Sequence, residues 1–283
     1  MQAGAVPACK RNGGMIMAAF RALNFSFDGK SSKDFGVKIV HIDESGWMND
    51  SIGAAFEAVL SEHPLRQKQR VYGVDMSECM EFSITIGSLK PLDRFEVRKI
   101  AAWLFARRKP CRLYIHQSDM AGVYYECFLT NPEQVSRGNL PYAFNCTVKC
   151  TSPFAWKDTS ISGIKVEDSK TFTIINNGAD ADGYVAPIIK MSIQPETQTV
   201  KIENSANAGS CFELDFSEDV IASDGEVVTV DNDNQIISSS AGVNRLECFN
   251  KKWFKIKHGA NNITITGKGT YDFSYSIPYI IGA

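Results

Sequence analysis

Few groups of residues in this chain have the types and spacing that chemistry demands, and each falls short at a defining position. Gly29-Lys30-Ser31 has the ending of a phosphate-binding loop, but Asn24 stands where the leading glycine belongs. Without that glycine the backbone amides cannot wrap a phosphate, and Asp28-Gly29 reads as a turn. Asp231-Asn232-Asp233-Asn234 presents oxygens like a calcium loop, yet Ile236 takes the sixth position and Gly242 the twelfth. A calcium loop needs glycine and glutamate there, so a polar turn is expected, as at Asp180-Ala181-Asp182-Gly183. Arg66-Gln67-Lys68-Gln69-Arg70 concentrates three cations in five residues. No aromatic residue interleaves with them, as a single-strand platform would require. They could touch phosphate, pair with acidic residues of another chain or simply be solvated, and a solvated cluster is expected.

Other site chemistry is equally sparse. The sequence has no G-x-S-x-G, H-E-x-x-H or G-x-G-x-x-G pattern and no C-x-x-C pair. Its four histidines, His41, His63, His116 and His258, are far apart. No catalytic, cofactor-binding or metal-ligating residue is therefore expected, and no cofactor. The eight cysteines are too few for a disulfide scaffold in 283 residues. Cys146 and Cys150 alternate with polar residues beside Phe144 and Val148, and Cys127 keeps company with Val123, Tyr125 and Leu129. That period of two puts the thiols on the apolar face of strands, as core residues.

The elements that would position such residues divide the chain in two. Residues 1–157 carry 20 Lys and Arg against 15 Asp and Glu, whereas residues 158–283 carry 10 against 17. The near-zero total of −2 thus hides halves of +5 and −7. Opposite potentials promote contact between halves or between copies; the alternative is two solvated surfaces. Residues 1–16 read as a flexible leader or an over-extended start. Lys10 and Arg11 follow the small-residue stretch instead of preceding an apolar core, so no signal peptide is expected. No stretch approaches the roughly 18 uninterrupted apolar residues of a membrane helix, and no membrane insertion is expected.

The first half reads as strands (Phe20–Phe27, Phe35–Ile42, Met80–Ile86, Cys111–Ile115, Gly122–Leu129, Ala143–Cys150) around one helix, 93–108. Asp93 is a good N-cap with Glu96 three residues on. Val97, Ile100, Ala101 and Leu104 line one face, Arg107, Arg108 and Lys109 suit the C-terminal dipole, and Pro110 stops the helix. Trp103 and Phe105 lie partly off that stripe, giving either a wide core face or a subunit contact. Residues 53–61 fit helix or strand. After the Thr151–Trp156 boundary only strand signals follow: Thr171–Asn176, Pro187–Ile193, Gln198–Glu203, Cys211–Phe216, Glu226–Asp231, Trp253–Lys257, Asn262–Thr266 and Thr270–Tyr279. Eight short strands with turns between them predict a β-sandwich. The expected fold class is mainly β: an N-terminal barrel or sandwich with one α-helix, then a second sandwich.

Four stretches, in order, resemble the distal tail protein family of long-tailed, siphovirus-type bacteriophages. They are Phe25-Ser-Phe-Asp-Gly-Lys-Ser-Ser-Lys-Asp-Phe-Gly-Val-Lys-Ile39; Arg98-Lys-Ile-Ala-Ala-Trp-Leu104; Phe144-x-Cys146 through Ser152-Pro-Phe-Ala-Trp156; and Asn176-Asn-Gly-Ala through Ala186-Pro-Ile-Ile189, with His258-Gly-Ala-Asn-Asn-Ile263 later. The likeness covers residues 17–283. Two features depart from it: Ser152 replaces the usual acidic residue, and the leader before Met17 has no counterpart. The resemblance implies a structural role without catalysis. A first domain, 17–157, would form a homo-hexameric ring beneath the tail tube, and a galectin-like sandwich, 158–283, would project outward. The ring would join the tube protein to the tail-tip hub and carry receptor-binding proteins, with DNA only in transit, in a virion assembled in the host cytoplasm. The resemblance also favours a strand at 53–61. The competing reading is a free-standing lectin-like carbohydrate-binding protein. Its aromatic platform would be Trp253 or Tyr271, although both begin strand-like segments and are expected to pack inside.

Overall fold

The computed structural model describes residues 23–40, 57–60, 71–75, 79–118, 120–207, 211–217, 221 and 223–280. Its strands in the first half are β1 (Phe25–Phe27), β2 (Lys30–Ser31), β3 (Lys38–Val40), β4 (Glu57–Leu60), β5 (Val71–Asp75), β6 (Glu81–Gly87), β7 (Cys111–Ile115), β8 (Val123–Arg137) and β9 (Leu140–Cys150). Between β6 and β7 lies α1 (Arg94–Phe105). Then come β10 (Ala155–Val166), β11 (Ser169–Asn176), β12 (Tyr184–Val185), β13 (Ile188–Ile193), β14 (Thr199–Asn204) and β15 (Cys211–Asp215). The last are β16 (Glu226–Asp231), β17 (Ile236–Ser239), β18 (Ile256–Lys257), β19 (Gly259–Thr266) and β20 (Gly269–Tyr279).

The first half closes on itself. β1 pairs β7, β7 pairs β8, β8 pairs β9, β9 pairs β6 and β6 pairs β3. Leu23, just ahead of β1, completes the circuit by exchanging hydrogen bonds of 3.0 and 2.9 Å with Ile39 of β3. The result is an antiparallel barrel, which removes free strand edges. Phe25, Phe27, Ile84, Ile86, Leu113, Ile115, Cys127, Leu129, Cys146 and Val148 point into one buried core. Closure needs a glycine where three strands crowd together: a Cβ on Gly87 would lie 2.9 Å from Val40 Cγ2 and 3.2 Å from Ala143 Cβ. β4 and β5 form a separate two-stranded ladder, so the described part of 53–61 is strand.

The helix begins as its sequence predicts. The Asp93 carboxylate accepts the Glu96 N–H at 2.7 Å, and the Glu96 carboxylate accepts the Asp93 N–H at 2.8 Å. It stops at Phe105, however, three residues short of the predicted end. Arg107 instead turns its Nε to the Asp28 carboxylate at 2.9 Å, so the three cations lie beyond the helix. Trp103 belongs to the core: its Nε1 donates to Phe27 O at 3.0 Å, and its ring stacks with Phe35 at 4.1 Å and Phe25 at 5.6 Å. The wide core face is therefore the correct reading of that residue.

The second half is a sandwich. One sheet runs β17-β16-β13-β20-β10 and the other β11-β19-β14-β15. Ile189, Met191, Val228, Val230, Tyr271 and Phe273 face Val200, Ile202, Phe212, Leu214, Ile263 and Ile265 across the second core. β10 is the element the sequence hides. Polar Lys157-Asp158-Thr159-Ser160 interrupts any apolar pattern, yet the strand runs for twelve residues. It pairs with β8 at Trp156 and Lys157 and with β20 along its length, so one sheet passes through both halves. A register shift between Ile161 and Ile164, with Gly163 at φ 73°, bends it toward the second core. β8 and β9 also continue past their predicted apolar stretch into an exposed hairpin arm around Asn131–Leu140.

Candidate functional site

The features singled out in the sequence resolve into turns and packing. Asp28 and Gly29 have φ of 52° and 71°, the pair of positive values a tight β-hairpin turn requires. Ser32 Oγ, buried, accepts the Phe25 N–H at 3.1 Å, so this segment is committed to the hairpin. Asp231 Oδ1 accepts the N–H groups of Asp233 and Asn234 at 3.1 and 2.9 Å, and Asp180 Oδ1 accepts that of Gly183 at 2.9 Å. Both acidic runs are side-chain-closed turns. His116 Nε2 lies 2.8 Å from Ser26 Oγ, and His258 is exposed. Among the described residues no group of three or more His, Cys, Asp or Glu is placed to hold a metal, and no helix is long and apolar enough to cross a membrane. The 66–70 cluster, His41, His63 and residues 1–16 lie outside the described residues. Of the two aromatics a lectin-like site would use, Tyr271 is fully buried with its hydroxyl on Gly267 O at 2.9 Å. Trp253 is half-buried against Phe249 at 4.6 Å.

What the surface does offer is concentrated at the barrel rim and at the junction of the halves. At the rim, Ser88 N–H donates to Tyr142 O at 2.9 Å and Leu92 N–H to Pro141 O at 2.8 Å. These bonds stitch the β6–α1 loop to β9 just after the turn of the hairpin arm. Along this edge Leu89 is 93% exposed, Phe95 75% and Leu140 52%. Large apolar side chains this exposed are what a contact surface presents. Arg94, Arg98 and Lys99 stand exposed on α1 beside them.

At the junction, Asp158 of β10 collects three donors: Arg112 Nη1 at 2.6 Å, Ser276 Oγ at 2.7 Å and Tyr124 Oη at 2.8 Å. The Arg112 guanidinium also covers the Tyr124 ring at 4.1 Å. Burial works against the Asp158 charge, but the bonds from Ser276, Tyr124 and Arg112 outweigh it and hold the carboxyl below its ordinary pKa. This network ties β7 and β8 to β10 and β20. It forms part of the wall of a cleft of about 750 Å³, which Trp156, Tyr184 and Ile188 also line. Farther out, Arg245 grips Glu226 through Nε at 2.9 Å and Nη2 at 2.6 Å with both side chains buried, and Ser239 Oγ adds a third bond.

Three resemblance motifs gain physical reasons. Ser152 Oγ accepts the Phe154 N–H at 3.1 Å, the bond an acidic side chain would make there, so the departure preserves the turn. Asn176 is buried, and its Oδ1 accepts the Gly178 N–H at 3.0 Å. Asn261 is fully buried: its amide donates to Lys257 O at 2.7 Å, and its Oδ1 accepts from Asn204 Nδ2 at 2.8 Å.

Fold and surface define a two-part antiparallel β scaffold whose prominent features are rims and ties, with its acidic runs spent on turns. The chain belongs to a family of phage tail proteins: a model described as phage tail protein N-terminal domain matches residues 20–152, and one described as phage tail C-terminal domain matches residues 154–275. No curated protein matches it in sequence. Among solved structures, the chain shares the fold of the Dit (gp 19.1) protein of phage SPP1, described as a paradigm of the hub adsorption apparatus in phages infecting Gram-positive bacteria. The TM-score is 0.65 at 11% identity, covering 91% of this chain and 100% of that one. A chain of the phage P2 baseplate in its activated conformation with Ca matches at TM-score 0.52 and 8% identity, covering 90% of this chain and 98% of that one. These likenesses agree with the resemblance read from the four motifs and with the mainly β fold class. A phage tail protein is a component of the virion.

Proposed function

We propose that the chain is the distal tail subunit of a long-tailed bacteriophage. Six copies close into a ring at the lower end of the tail tube. Residues 17–157 form the ring and residues 158–283 a galectin-like outer domain. The ring joins tube to tail-tip hub, offers its outside to receptor-binding proteins and lets DNA through its lumen. It is assembled in the host cytoplasm and catalyses no reaction.

The observation that carries this reading is the family match across 20–275 on a chain whose barrel rim exposes Leu89, Phe95 and Leu140. A closed ring needs two different, complementary patches on each subunit, and the apolar rim supplies one. The oppositely charged halves favour association in a fixed direction. The experiment is light scattering on the purified full chain with the Leu89→Asp/Phe95→Asp variant beside it. The reading expects a large discrete assembly for the native chain and subunits for the variant, with secondary structure unchanged in both.

A further inference from the structure

The barrel core carries a row of thiols on three adjacent strands. Cys111 of β7 stands directly opposite Cys127 of β8, and Cys127 directly opposite Cys150 of β9. Partners across a sheet share a face, so the three side chains form one rung along the barrel interior. Cys127 and Cys150 are buried, Cys111 is half-exposed and Cys79, near Cys150, is exposed. The row therefore reaches the surface at both ends.

Hydrogen bonding separates the two pairs. Thr151 N–H donates to Glu126 O at 2.9 Å, the bond that brackets a non-hydrogen-bonded pair at Cys127 and Cys150. Cys150 turns its own N–H the other way, to Met80 O at 2.9 Å. Across antiparallel strands such pairs bring the Cβ atoms closer than hydrogen-bonded pairs do, and a disulfide needs Cβ atoms about 3.5–4.5 Å apart. On β8 the backbone groups of Cys127 then point to β7, so Cys111 and Cys127 form the wider, hydrogen-bonded pair. Cys146 has no thiol opposite it; its partner on β6 is Ile84.

We propose that Cys127 and Cys150 are an oxidative cross-linking site, loaded from a low-molecular-weight disulfide through the surface thiols. In the Cys111 route, its thiolate attacks one sulfur of the oxidant, giving a mixed disulfide and releasing one small thiol. Cys127 displaces the second small thiol by attacking the Cys111 sulfur. Cys150 then attacks the Cys127 sulfur, forming the Cys127–Cys150 bond and returning Cys111 to a thiol. The sum is two protein thiols oxidised, one small disulfide reduced to two thiols, and no net proton change. Cys79 can pass the oxidant to Cys150 in the same way. An entry step through exposed thiols is needed because Cys127 and Cys150 are buried, out of reach of a small disulfide in solution. Burial also raises the Cys150 thiol to about 12, so the later attacks rely on the sulfurs being held side by side instead of on a large thiolate fraction.

The test uses the full chain, fully reduced and then incubated with oxidised glutathione, alkylated and mapped by peptide mass spectrometry. The expected result is loss of two of the eight thiols, recovered as one cross-linked peptide pair containing Cys127 and Cys150, with Cys146 alkylated. Eight alkylated cysteines, glutathione adducts on Cys79 or Cys111 without a cross-link, or a bond that includes Cys146 would each overturn the proposal. A Cys79→Ser/Cys111→Ser variant should form the bond about tenfold more slowly or less; an unchanged rate would overturn the relay. A rate that climbs steeply in urea below the unfolding transition would assign the bond to the unfolded chain and overturn the site.

Discussion

Replacing Arg245 by Met should destabilise the second core by about 3–5 kcal/mol, the cost of leaving a buried carboxylate with its ion partner removed. Arg245 lies in the segment between β17 and β18. Its guanidinium grips Glu226 of β16 with two bonds and covers the Phe216 ring at 5.3 Å. Glu226 is 0% exposed and Arg245 3%. Removing Arg245 leaves Glu226 with the Ser239 hydroxyl, far short of what an ionised carboxylate needs. With a urea slope of about 2 kcal/mol/M, the midpoint read by tryptophan fluorescence should fall by about 2 M. The Glu226→Leu/Arg245→Met double variant removes both charges and should lie within about 1 kcal/mol of the native chain. The pair also sets a pH dependence. Hydrogen bonding from Arg245 lowers the Glu226 pKa against the opposing effect of burial. Its contribution is therefore full above the unfolded carboxylate value of about 4.3 and is lost as pH falls through the lower folded value. The gap between native chain and single variant should narrow in acid, while the double variant should show no such change. A single variant within about 1 kcal/mol of native, or a double variant as damaged as the single, would refute the reasoning.

Other consequences can be measured on the same protein. Trp103→Phe should cost about 1–2 kcal/mol through the lost bond to Phe27 O, and Trp103→Ala about 3–5 kcal/mol, both read as lower thermal midpoints. The folded Asp158 carboxyl has a lowered pKa, so the tie between halves holds above the unfolded value of about 3.9 and loosens as pH falls through the folded one. The hydrogen-exchange protection factor at β10, corrected for the intrinsic rate at each pH, should fall in acid in the native chain, and in Asp158→Asn at neutral pH also. Leu89→Asp/Phe95→Asp should abolish assembly without shifting the thermal midpoint by more than a few degrees, since both side chains already face water; a collapse of the fold would show that they pack instead.

How much of this was legible depended on whether a residue's role is local. Asp93 and Glu96 announce the helix because a capping box is made within four residues. Cys127, Cys146 and Cys150 read as core because alternation is a property of single strands. β10 was illegible: Asp158 is polar because it binds Arg112, Tyr124 and Ser276, which are distant in sequence. The Glu226–Arg245 pair spans 19 residues, and no spacing rule links them. The helix ends at Phe105, ahead of its three cations, and Arg107 lies instead against Asp28, a contact between residues far apart in sequence that no local spacing announces. At the rim, nothing in the sequence distinguishes exposed Leu89 from buried Leu92. Their difference comes from how the loop is stitched to Pro141 and Tyr142.

The central claim is that copies of this chain close into a ring, and electron microscopy of the purified full chain tests it most directly. End-on views should show six-fold symmetry and a central hole, and the scattering mass should be six times the 31.3 kDa of the chain. A monodisperse 31.3 kDa particle at high concentration, with no ring in the images, would contradict it.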